Sequence, residues 1–474
     1  MSSRRRFMVG AAVALAAPYI VRRSAIAATT LVRLDVMSMP ANHPFFADYA
    51  TAVKKMHETS GGRNWLAQAK IHADYCKHGE LEFLHWHRHY LRFFEKICAS
   101  LCGNPNFALP YWNWSKNSGR YPAPFFDLPE LNVVQWNDPG QYNGAAWGVI
   151  DTAPRRGLDK THGLLDDPIR GGAFTLNTIN DIKAQPTIDL FQPALEGQPH
   201  NNGHVVAGAR KTTSQKVGHI GSGLSPLDPI FWLHHCMVDR VWAEWQQVPG
   251  HATPDPQTNY AGNFVEADGS PANANSTGAL NIADLGYTYD VLQGAPSVAA
   301  ANPQLQELNQ LFPPAPAQTI GAAINPDTSR VNIPTAITVT ASALPARVAE
   351  LHAMEAAGVR LIRKRILAKL SDISWPETGD VLVNVFVDCP YLSPETPYSD
   401  PHYAGSFSFF GSVKAMPGMP GMNSAVFVVD ITRPVRDLGL ATDKIKVQLM
   451  PVPAAPGGES SSSFKVGKVE IIAV

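Results

Sequence analysis

The sequence predicts a mainly α-helical domain with long loops, followed by a smaller β-sandwich domain at the C-terminal end of the chain. Three observations lead to this prediction: helical periodicity in the first part, a composition shift to Ala and Pro, and short β-branched runs after it. The chain has 474 residues, 45% of them hydrophobic, which is enough to bury a large core in more than one domain.

The first domain is expected to cover residues 28–290. Within it, four segments carry apolar residues at intervals of three and four, and stretches rich in Gly, Pro and Asn separate them as long loops. The predicted helices are Phe45–Glu58, Asn64–Tyr75, His85–Cys98 and Pro229–Gln246. These segments indicate a helical bundle.

A second, β-rich domain is expected at residues 346–474, after a linker at residues 291–345. The linker prediction depends on the Ala- and Pro-rich composition there, which includes Phe312-Pro-Pro-Ala-Pro316. A helix over Ala346–Ala357 is expected to lead into the second domain. Short β-branched or aromatic runs between turns then predict antiparallel strands at Val381–Asp388, Gly405–Phe410, Ala425–Ile431 and Ile445–Leu449.

Residues 1–27 have the features of a removable export signal. A cluster of arginines at Arg4–Arg6 precedes the apolar stretch Val9–Ala17, and Ala25-Ile26-Ala27 offers a cleavage site. No acidic residue occurs before Asp35. This pattern predicts a twin-arginine signal and an exported, periplasmic or secreted protein. A mitochondrial-type presequence, also Arg-rich and acid-poor, is the alternative. The apolar stretch is too short to span a bilayer.

Charge and cysteine content argue against two classes of protein. The formal net charge of −1 provides no basic field for binding nucleic acid. Five cysteines in a chain of this length do not form a disulfide framework. Cys98 and Cys102 lie four residues apart on a predicted helix, and we interpret them as small buried hydrophobic residues.

Histidines form a first cluster in and before the third predicted helix. His85, His87 and His89 lie two residues apart, and two helical steps turn by about 200°, so only one or two of them can face the same place. The flanking apolar residues favour His87 as the one that points inward. His78 is half a turn out of phase with His87, so it must approach from the preceding loop, and His72 from the end of an earlier helix.

A second histidine cluster surrounds the fourth predicted helix. His200 and His204 lie four residues apart and share one helix face, which can bring two imidazoles to one metal ion. His234 and His235 follow on the next helix, and helical phase alone does not decide which of them faces inward. Asp239 lies four residues after His235, where it can steady that imidazole from behind.

Six histidines at these spacings indicate a metal centre rather than isolated hydrogen-bonded core residues. Neither segment supplies the paired Glu and Glu-x-x-His array that di-iron helical bundles use. Three neutral imidazoles per ion suit copper, and a zinc site would not require a duplicated trio. The sequence therefore predicts two copper ions.

Both clusters resemble the type-3 copper family of tyrosinases, catechol oxidases and molluscan haemocyanins. The first is similar to that family's first copper signature, as His78-x4-Phe83-Leu84-x-Trp86-His87-Arg88-x2-Leu91-x3-Glu95. The second is similar to its second signature, as Asp228-Pro229-x-Phe231-Trp232-x2-His235-x3-Asp239. The resemblance implies one copper on His72, His78 and His87. It implies the other on His200, His204 and His235, and so selects His235 over His234.

The resemblance extends beyond the ligands. Cys76-x-His78 resembles the fungal and molluscan arrangement in which the cysteine sulfur is bonded covalently to the histidine ring; the alternative is a plain buried thiol. Leu109–Trp114 is similar to the family's segment after the first copper helix. Tyr287-Thr-Tyr289 is similar to the motif that closes its catalytic domain, with Arg33 as partner. Asp400–Phe407 resembles the C-terminal domain of plant polyphenol oxidases.

The resemblance implies a phenol oxidase that uses dioxygen to hydroxylate monophenols, to oxidise o-diphenols to o-quinones, or both. It assigns to Glu196 and Asn201 the water that takes the phenol proton; from the residues alone they also fit a first-turn carboxylate and a helix N-cap. Val205 and Ser222 are expected at an open, apolar substrate entrance. The alternatives are a catechol oxidase without hydroxylase activity and a haemocyanin-like dioxygen carrier.

Two hypotheses concern the rest of the chain. Met416, Met419 and Met422 place three thioethers in one segment, which suits Cu(I) loading, although a pair of simple turns fits the same residues. The plan of a catalytic domain, a linker and a β-rich domain resembles latent plant polyphenol oxidases. It implies that the C-terminal domain is a lid over the copper entrance; a purely stabilising domain is the alternative.

Overall fold

The computed structural model describes residues 30–135, 156–292, 316–356, 364–410 and 425–474. Its longer helices are α1 (Pro44–Glu58), α2 (Trp65–Tyr75), α3 (Glu82–Cys102), α4 (Pro124–Asp127), α5 (Leu176–Lys183), α6 (Ile188–Leu195), α7 (Asn201–Ala207), α8 (Ile230–Gln246), α9 (Leu344–Ala356) and α10 (Thr432–Asp437). Its strands are β1 (Leu31–Arg33), β2 (Tyr287–Tyr289), β3 (Gln318–Ile324), β4 (Ser329–Arg330), β5 (Thr335–Thr340), β6 (Ile366–Ser374), β7 (Val381–Val387), β8 (Tyr403–Ser408), β9 (Phe427–Asp430), β10 (Lys444–Pro453) and β11 (Ser463–Ala473). A helical first part followed by a β-rich second part confirms the predicted fold class.

All four helices predicted for the first part are present, with small differences at their ends. The side chain of His43 caps α1 by accepting a hydrogen bond from a backbone N–H, and Asn64 caps α2 in the same way. Helix α3 begins at Glu82, before the predicted start, and ends at Cys102, where Gly103, with a φ of 78°, forms a left-handed cap. Capping residues therefore set these boundaries more closely than periodicity does.

A buried charge network joins the two ends of the first domain. Strand β1 pairs in parallel with β2, which brings Arg33 beside the centre of the helical bundle. Arg33 donates to Glu95 Oε1 at 3.1 Å and to Asp239 Oδ2 at 3.2 Å, and all three side chains are buried. Asp239 also accepts from Arg88 Nε and from the hydroxyls of Tyr287 and Tyr289, each at 2.6 Å. This arrangement pairs the buried carboxylates with arginines and ties α3 to α8.

Two antiparallel sheets form the β-rich part. The first has the strand order β5-β10-β7-β8, and the second has the order β3-β11-β6-β9, with β4 paired to β11. Their buried faces enclose a separate hydrophobic core. All seven residues of β7 are buried, because its outward side chains meet the first domain. The expected β-sandwich is therefore present.

The linker prediction for residues 291–345 is wrong over its second half. Strand β3 pairs with β11, and β5 pairs with β10, so residues from Gln318 onward belong to the sandwich. The alternation of buried and exposed residues in β5 follows the period of two that a half-buried strand requires. The Ala- and Pro-rich composition outweighed this short pattern in the prediction. Residues 293–315 lie outside the described ranges.

The C-terminal sandwich packs directly on the element that carries His200 and His204. Gln198 Nε2 donates to the carbonyl of Val428 at 3.1 Å, and Asn202 Nδ2 donates to Ser406 Oγ at 2.9 Å. Ion pairs add to the interface: Arg210 lies 2.7 Å from Asp380, and Arg365 lies 2.8 Å from Asp181. Strands β8 and β9 therefore cover one face of the segment that carries His200 and His204.

Two expectations from the sequence concern the chain as a whole. No disulfide joins any two of the five cysteines, all of which lie in the described ranges. None of the helices in the described ranges combines the length and apolar character needed to cross a lipid bilayer. The predicted export signal at residues 1–27 lies outside the described residues.

Candidate metal centre

Three histidines from the first cluster form a triangle beside α3. His72 lies in the last turn of α2, His78 in the loop after it, and His87 on α3. The ring centroids are 5.3 Å apart for His72 and His78, 5.6 Å for His72 and His87, and 5.5 Å for His78 and His87. All three side chains are buried. The loop approach predicted for His78 and the helix-end position of His72 match this geometry.

His200, His204 and His235 form a second triangle. His200 ends a π-helical turn, Glu196–His200, that runs into α7, and His235 comes from α8. The ring centroids are 4.7 Å apart for His200 and His204, 4.9 Å for His200 and His235, and 5.4 Å for His204 and His235. Single π-helical turns inside helices are frequent at functional sites, because the extra residue redirects the side chains.

The two triangles face each other across a short gap. The rings of His87 and His235, one from each trio, stack with centroids 4.3 Å apart and planes 11° apart. His78 and His200 lie 5.4 Å apart on the other side of the gap. The arrangement therefore brings six imidazoles from five elements of the chain into one buried cluster.

Backbone carbonyls fix the tautomers of three of these rings. Nδ1 of His72 donates to the carbonyl of Gly223 at 3.0 Å. Nδ1 of His87 donates to the carbonyl of Phe83 at 2.8 Å, and Nδ1 of His204 to that of Ile220 at 2.7 Å. A carbonyl oxygen only accepts, so in each ring the proton is on Nδ1 and the lone pair is on Nε2.

Four of the six Nε2 atoms lack partners among the described residues. Nε2 of His72, His78, His87 and His200 is buried without a hydrogen bond among the described residues. Nε2 of His204 carries a lone pair and lies 3.2 Å from Nε2 of His235. Several buried lone pairs aimed into one space are costly unless a cation is shared between them. The site therefore fits metal ions bound by neutral imidazoles, the donor set that suits copper.

Burial keeps these imidazoles neutral at physiological pH. It lowers the pKa of His72 to about 4. Burial, and then the neighbouring histidines, hold the pKa values of His78, His200, His204 and His235 well below their usual range. A neutral ring is the form that binds a metal ion, so the site does not have to lose protons at pH 7 before binding.

The other histidines of the two clusters have different partners. His85 Nδ1 donates to the carbonyl of Leu81, and His89 Nε2 donates to the carbonyl of Asn275, both away from the two triangles. Only His87 of the three alternate residues faces the site, as the helical phase allowed. His235 Nδ1 has no hydrogen-bond partner in the described structure, so the expected support from Asp239 is wrong. Asp239 serves the charge network instead.

Cys76 lies against the ring of His78. Its Sγ atom is 3.3 Å from His78 Nδ1, and both side chains are buried. Burial raises the pKa of the Cys76 thiol, so this thiol is neutral at physiological pH. This contact fixes the position of a histidine that otherwise lies on a loop.

Glu196 is the first residue of the π-helical turn, and Asn201 directly follows its last residue, His200. Glu196 Oε1 accepts a hydrogen bond from the backbone N–H of Gly79 at 2.6 Å, and burial raises its pKa to about 8. Asn201 Oδ1 accepts from His200 Nδ1 at 2.9 Å, while Asn201 Nδ2 donates to the carbonyl of Ser408 at 3.0 Å. Both side chains are therefore tied to segments that carry or adjoin metal-site histidines.

The residues expected at the substrate entrance are buried in this structure. Ser222 Oγ donates to the carbonyl of His219 at 2.8 Å and accepts from the backbone N–H of Leu224 at 3.2 Å, within its own turn. Val205 is also buried on α7. Their role as an entrance stays a prediction. The segment with Met416, Met419 and Met422 lies outside the described residues.

Phe410, which no sequence argument identified, fills the space beside the histidines. Its ring is parallel to that of His204, with centroids 3.7 Å apart and planes 2° apart. It lies edge-on to His78 at 5.4 Å and to His200 at 5.8 Å. The aromatic run in the predicted strand Gly405–Phe410 was visible in the sequence, but nothing local indicates that its last residue leaves the sandwich. Only 1% of its surface is exposed.

Comparisons with known proteins agree with this geometry. Residues 48–248 match the family described as tyrosinase, common central domain of tyrosinase. Polyphenol oxidase C, chloroplastic, from Solanum lycopersicum is 26% identical over 55% of this chain and 47% of the relative. Catechol oxidase B, chloroplastic, from Solanum tuberosum is 26% identical over 55% of this chain and 49% of the relative. The chain thus spans about half the length of these curated relatives.

A solved structure of latent apple tyrosinase has a similar fold over both domains. The TM-score is 0.61 at 20% identity, with 94% of this chain and 97% of that chain covered. The coverage means that the helical domain and the C-terminal sandwich occur in the same order in both molecules. Identity at this level is informative about the fold alone.

Proposed function

We propose that the chain is a member of the type-3 copper family of tyrosinases and polyphenol oxidases, and that it oxidises phenols to o-quinones with dioxygen. The observation that carries the proposal is the pair of facing histidine triangles, in which four of the six Nε2 atoms are buried without a partner among the described residues. The family's cofactor is a pair of copper ions. We propose that His72, His78 and His87 bind one copper, and that His200, His204 and His235 bind the other.

The protein's own contribution is to orient ligands and exclude water. Hydrogen bonds from Nδ1 to carbonyls hold His72, His87 and His204 with Nε2 directed inward. The rings of Phe83 and Phe231 pack against ligand histidines with centroids 4.8 Å from His87 and 4.3 Å from His235, respectively, and keep the site dry. When bound, the copper pair supplies the electron exchange between phenol and dioxygen.

Cys76 and His78 are proposed to form the covalent sulfur–imidazole bond that the sequence resemblance implies. The contact of 3.3 Å between Sγ and the ring supports this, since little movement is needed to form the bond. The bond would replace the S–H bond of Cys76 and one C–H bond of the His78 ring, with the two protons and two electrons passing to dioxygen, and it would preorganise a ligand held on a loop. Mass spectrometry of the peptide that contains both residues tests it: a cross-linked peptide is lighter by two hydrogen atoms, and an unchanged mass would refute the proposal.

Glu196 and Asn201 are proposed to position the water that removes the proton of a monophenol. Their positions in the chain, with Glu196 four residues before His200 and Asn201 directly after it, support this role. Hydroxylation of monophenols is thus proposed in addition to oxidation of o-diphenols. A catechol oxidase that lacks the first activity is the alternative.

The C-terminal sandwich is proposed to be an inhibitory lid, with Phe410 as the side chain that occupies the site. The parallel contact of its ring with His204 supports this, because a phenol approaching the same face meets Phe410 first. Val205 and Ser222 would border the entrance once Phe410 leaves. A sandwich that only stabilises the fold is the alternative, and the two differ in whether its removal raises activity.

One measurement tests the proposed reaction. Copper-loaded protein should contain about two copper ions per chain and consume dioxygen when given 4-methylcatechol. A panel of monophenols and o-diphenols then separates hydroxylase activity from oxidase activity alone. Reversible dioxygen binding without turnover of any phenol would refute the proposal in favour of a haemocyanin-like carrier.

Export by a twin-arginine signal is proposed from residues 1–27. The polyphenol oxidase and catechol oxidase relatives are named as chloroplastic, which describes those proteins only. Replacing Arg4, Arg5 and Arg6 by Lys should retain the chain in the cytoplasm of a bacterial host, as measured by cell fractionation. Unchanged export of that variant would contradict the proposal.

A further inference from the structure

His234, the histidine beside the proposed ligand His235, has two buried partners of its own. Trp114 Nε1 donates to His234 Nδ1 at 3.1 Å. On the other side of the ring, His234 Nε2 lies 3.2 Å from the backbone carbonyl of His200. His234 and Trp114 have no exposed surface. The ring therefore links the segment after α3 with the backbone at the start of α7.

The chemistry of the two partners allows only one state of this ring. An indole N–H can only donate, so His234 Nδ1 must carry a lone pair, and a carbonyl can only accept, so Nε2 must carry the proton. The ring is consequently neutral and has one tautomer. Both nitrogens are in use, which leaves His234 no lone pair for a metal ion and explains why the adjacent His235 is the one available as a ligand.

The helix α7 also rests on this ring. A Cβ atom on Gly203 would lie 2.3 Å from His234 Cε1, so only glycine permits this contact. The ring centroid lies 5.6 Å from that of His200 and 4.7 Å from that of His204. His234 thus supports α7 at the turn between the two histidines that this helix supplies to the site.

The second histidine triangle depends on the distance between two separate helices. His200 ends the π-helical turn that continues directly into α7, and His204 lies on α7, whereas His235 lies on α8. Nε2 of His204 and Nε2 of His235 are 3.2 Å apart, so a small shift of either helix would change the distances from both nitrogens to an ion that they bind together. His234 is covalently next to His235 and hydrogen-bonded to the backbone of His200.

We propose that His234 is a positioning residue that fixes α7 against α8 and so keeps the second copper tightly bound. This inference rests on the proposed assignment of His200, His204 and His235 to one copper. Trp114 contributes to the same positioning, because its indole N–H donates to His234 Nδ1 and so fixes the tautomer of that ring. The backbone N–H of Trp112, which donates to the carbonyl of Leu233 at 3.0 Å, anchors the Trp114 segment on α8.

Three variants separate the hydrogen bonds from the shape of the ring. His234→Phe keeps a ring but loses both hydrogen bonds, whereas His234→Gln can accept from Trp114 through Oε1 and donate to the His200 carbonyl through Nε2. Trp114→Phe removes the indole donor and leaves His234 in place. Copper content, the time course of copper release to a chelator, and the melting temperature of the metal-free protein are measured for each.

In His234→Phe, we expect one of two coppers to be released about 10–100 times faster, the range typical of losing a residue that orients ligands, while the other is released at the wild-type rate. His234→Gln should restore slow release, and Trp114→Phe should accelerate the same copper more weakly. The melting temperatures of the metal-free variants should not follow the release rates.

Three results would overturn the inference: equal acceleration of both coppers, wild-type release from His234→Phe, or identical release from the Gln and Phe variants. If His234→Phe does not fold, Trp114→Phe decides, and wild-type release from that variant refutes the proposal. A wild-type chain that fails to bind two coppers would refute the proposed function instead, so the two failures are distinguishable.

Discussion

Replacing Phe410 by Ala should release the metal centre from inhibition while the C-terminal domain stays attached. The Phe410 ring covers His204 at 3.7 Å and lies edge-on to His78 and His200. The remaining interface does not depend on this ring. Asn202 and Gln198 keep their hydrogen bonds to the sandwich, and Arg365 keeps its contact with Asp181.

The expected size of the effect follows from what the ring contributes. Burial of a Phe side chain stabilises by about 1.5–3 kcal/mol, and a favourable aromatic pair adds about 0.5–1.5 kcal/mol. Together these two contributions favour the state with the Phe410 ring in the site over the state without it by roughly 2–4.5 kcal/mol, which is an equilibrium ratio of about 30 to 2000. Part of that preference is lost because Ala leaves a cavity into which neighbours relax. We therefore expect kcat/KM for 4-methylcatechol to rise at least about tenfold.

The assay is the initial rate of dioxygen uptake by full-length, copper-loaded protein. Phe410→Leu is the matched control, since it retains apolar bulk at the same position and should stay largely inhibited. Arg365→Ala weakens domain docking away from the ring and should change the rate much less than Phe410→Ala. If Phe410→Ala binds two coppers yet oxidises 4-methylcatechol no faster than the wild-type chain, the ring is not the obstruction.

Four further predictions address the site and the domain. His235→Ala should lose one copper and all phenol oxidation, measured by metal analysis and dioxygen uptake; retained activity would refute the ligand assignment. Asn201→Ala should lower monophenol turnover about 10²–10⁴-fold more than diphenol turnover, and equal losses would mean a structural role. Burial raises the pKa of Glu196 to about 8, so native metal-free protein holds that proton more tightly than the unfolded chain and loses stability as pH rises from about 4.5 to 8. Glu196→Gln should remove this loss of unfolding free energy, which is about 3 kcal/mol at pH 7. Urea unfolding at pH 5 and pH 7 measures it, and an unchanged difference in unfolding free energy between the two pH values would contradict the raised pKa. A chain ending near Pro313 should bind two coppers and show no latency, and a metallated but equally slow chain would refute the lid.

The helices of the first domain could be predicted because their burial pattern is local. Apolar residues three and four apart in α1, α2, α3 and α8 face one core, so periodicity alone locates each helix. Strand β5 was missed for the opposite reason. Its alternation covers six residues within an Ala- and Pro-rich stretch, and its pairing partner β10 lies far along the chain. Composition therefore gave the wrong prediction for a strand whose stabilising contacts are distant in sequence.

The choice between His234 and His235 marks the limit of reasoning from helical phase. Both side chains are buried, and both lie on the same turn of α8. What separates them is the identity of their neighbours. Trp114 and the His200 carbonyl occupy the two nitrogens of His234, whereas His235 faces His204 Nε2. None of these neighbours is close in sequence, so only the folded chain reveals the difference.

The position of Phe410 could not be predicted because its neighbours in the site are also distant along the chain. The hydrogen bonds of Asn201 indicate why the contact between the sandwich and the histidines matters for chemistry. Asn201 Oδ1 accepts a hydrogen bond from His200 Nδ1, which directs the amide nitrogen of Asn201 to the opposite side, toward the carbonyl of Ser408 in strand β8. The Asn201 amide is therefore hydrogen-bonded both to His200 and to the strand that leads into Phe410. Docking of the sandwich and the orientation of His200 reinforce each other through this side chain. On the roles proposed above, the same hydrogen bond would occupy the donor that Asn201 offers to a catalytic water. The docked sandwich would then oppose hydroxylation at two points, because Phe410 would exclude the phenol and the Ser408 carbonyl would occupy the Asn201 amide.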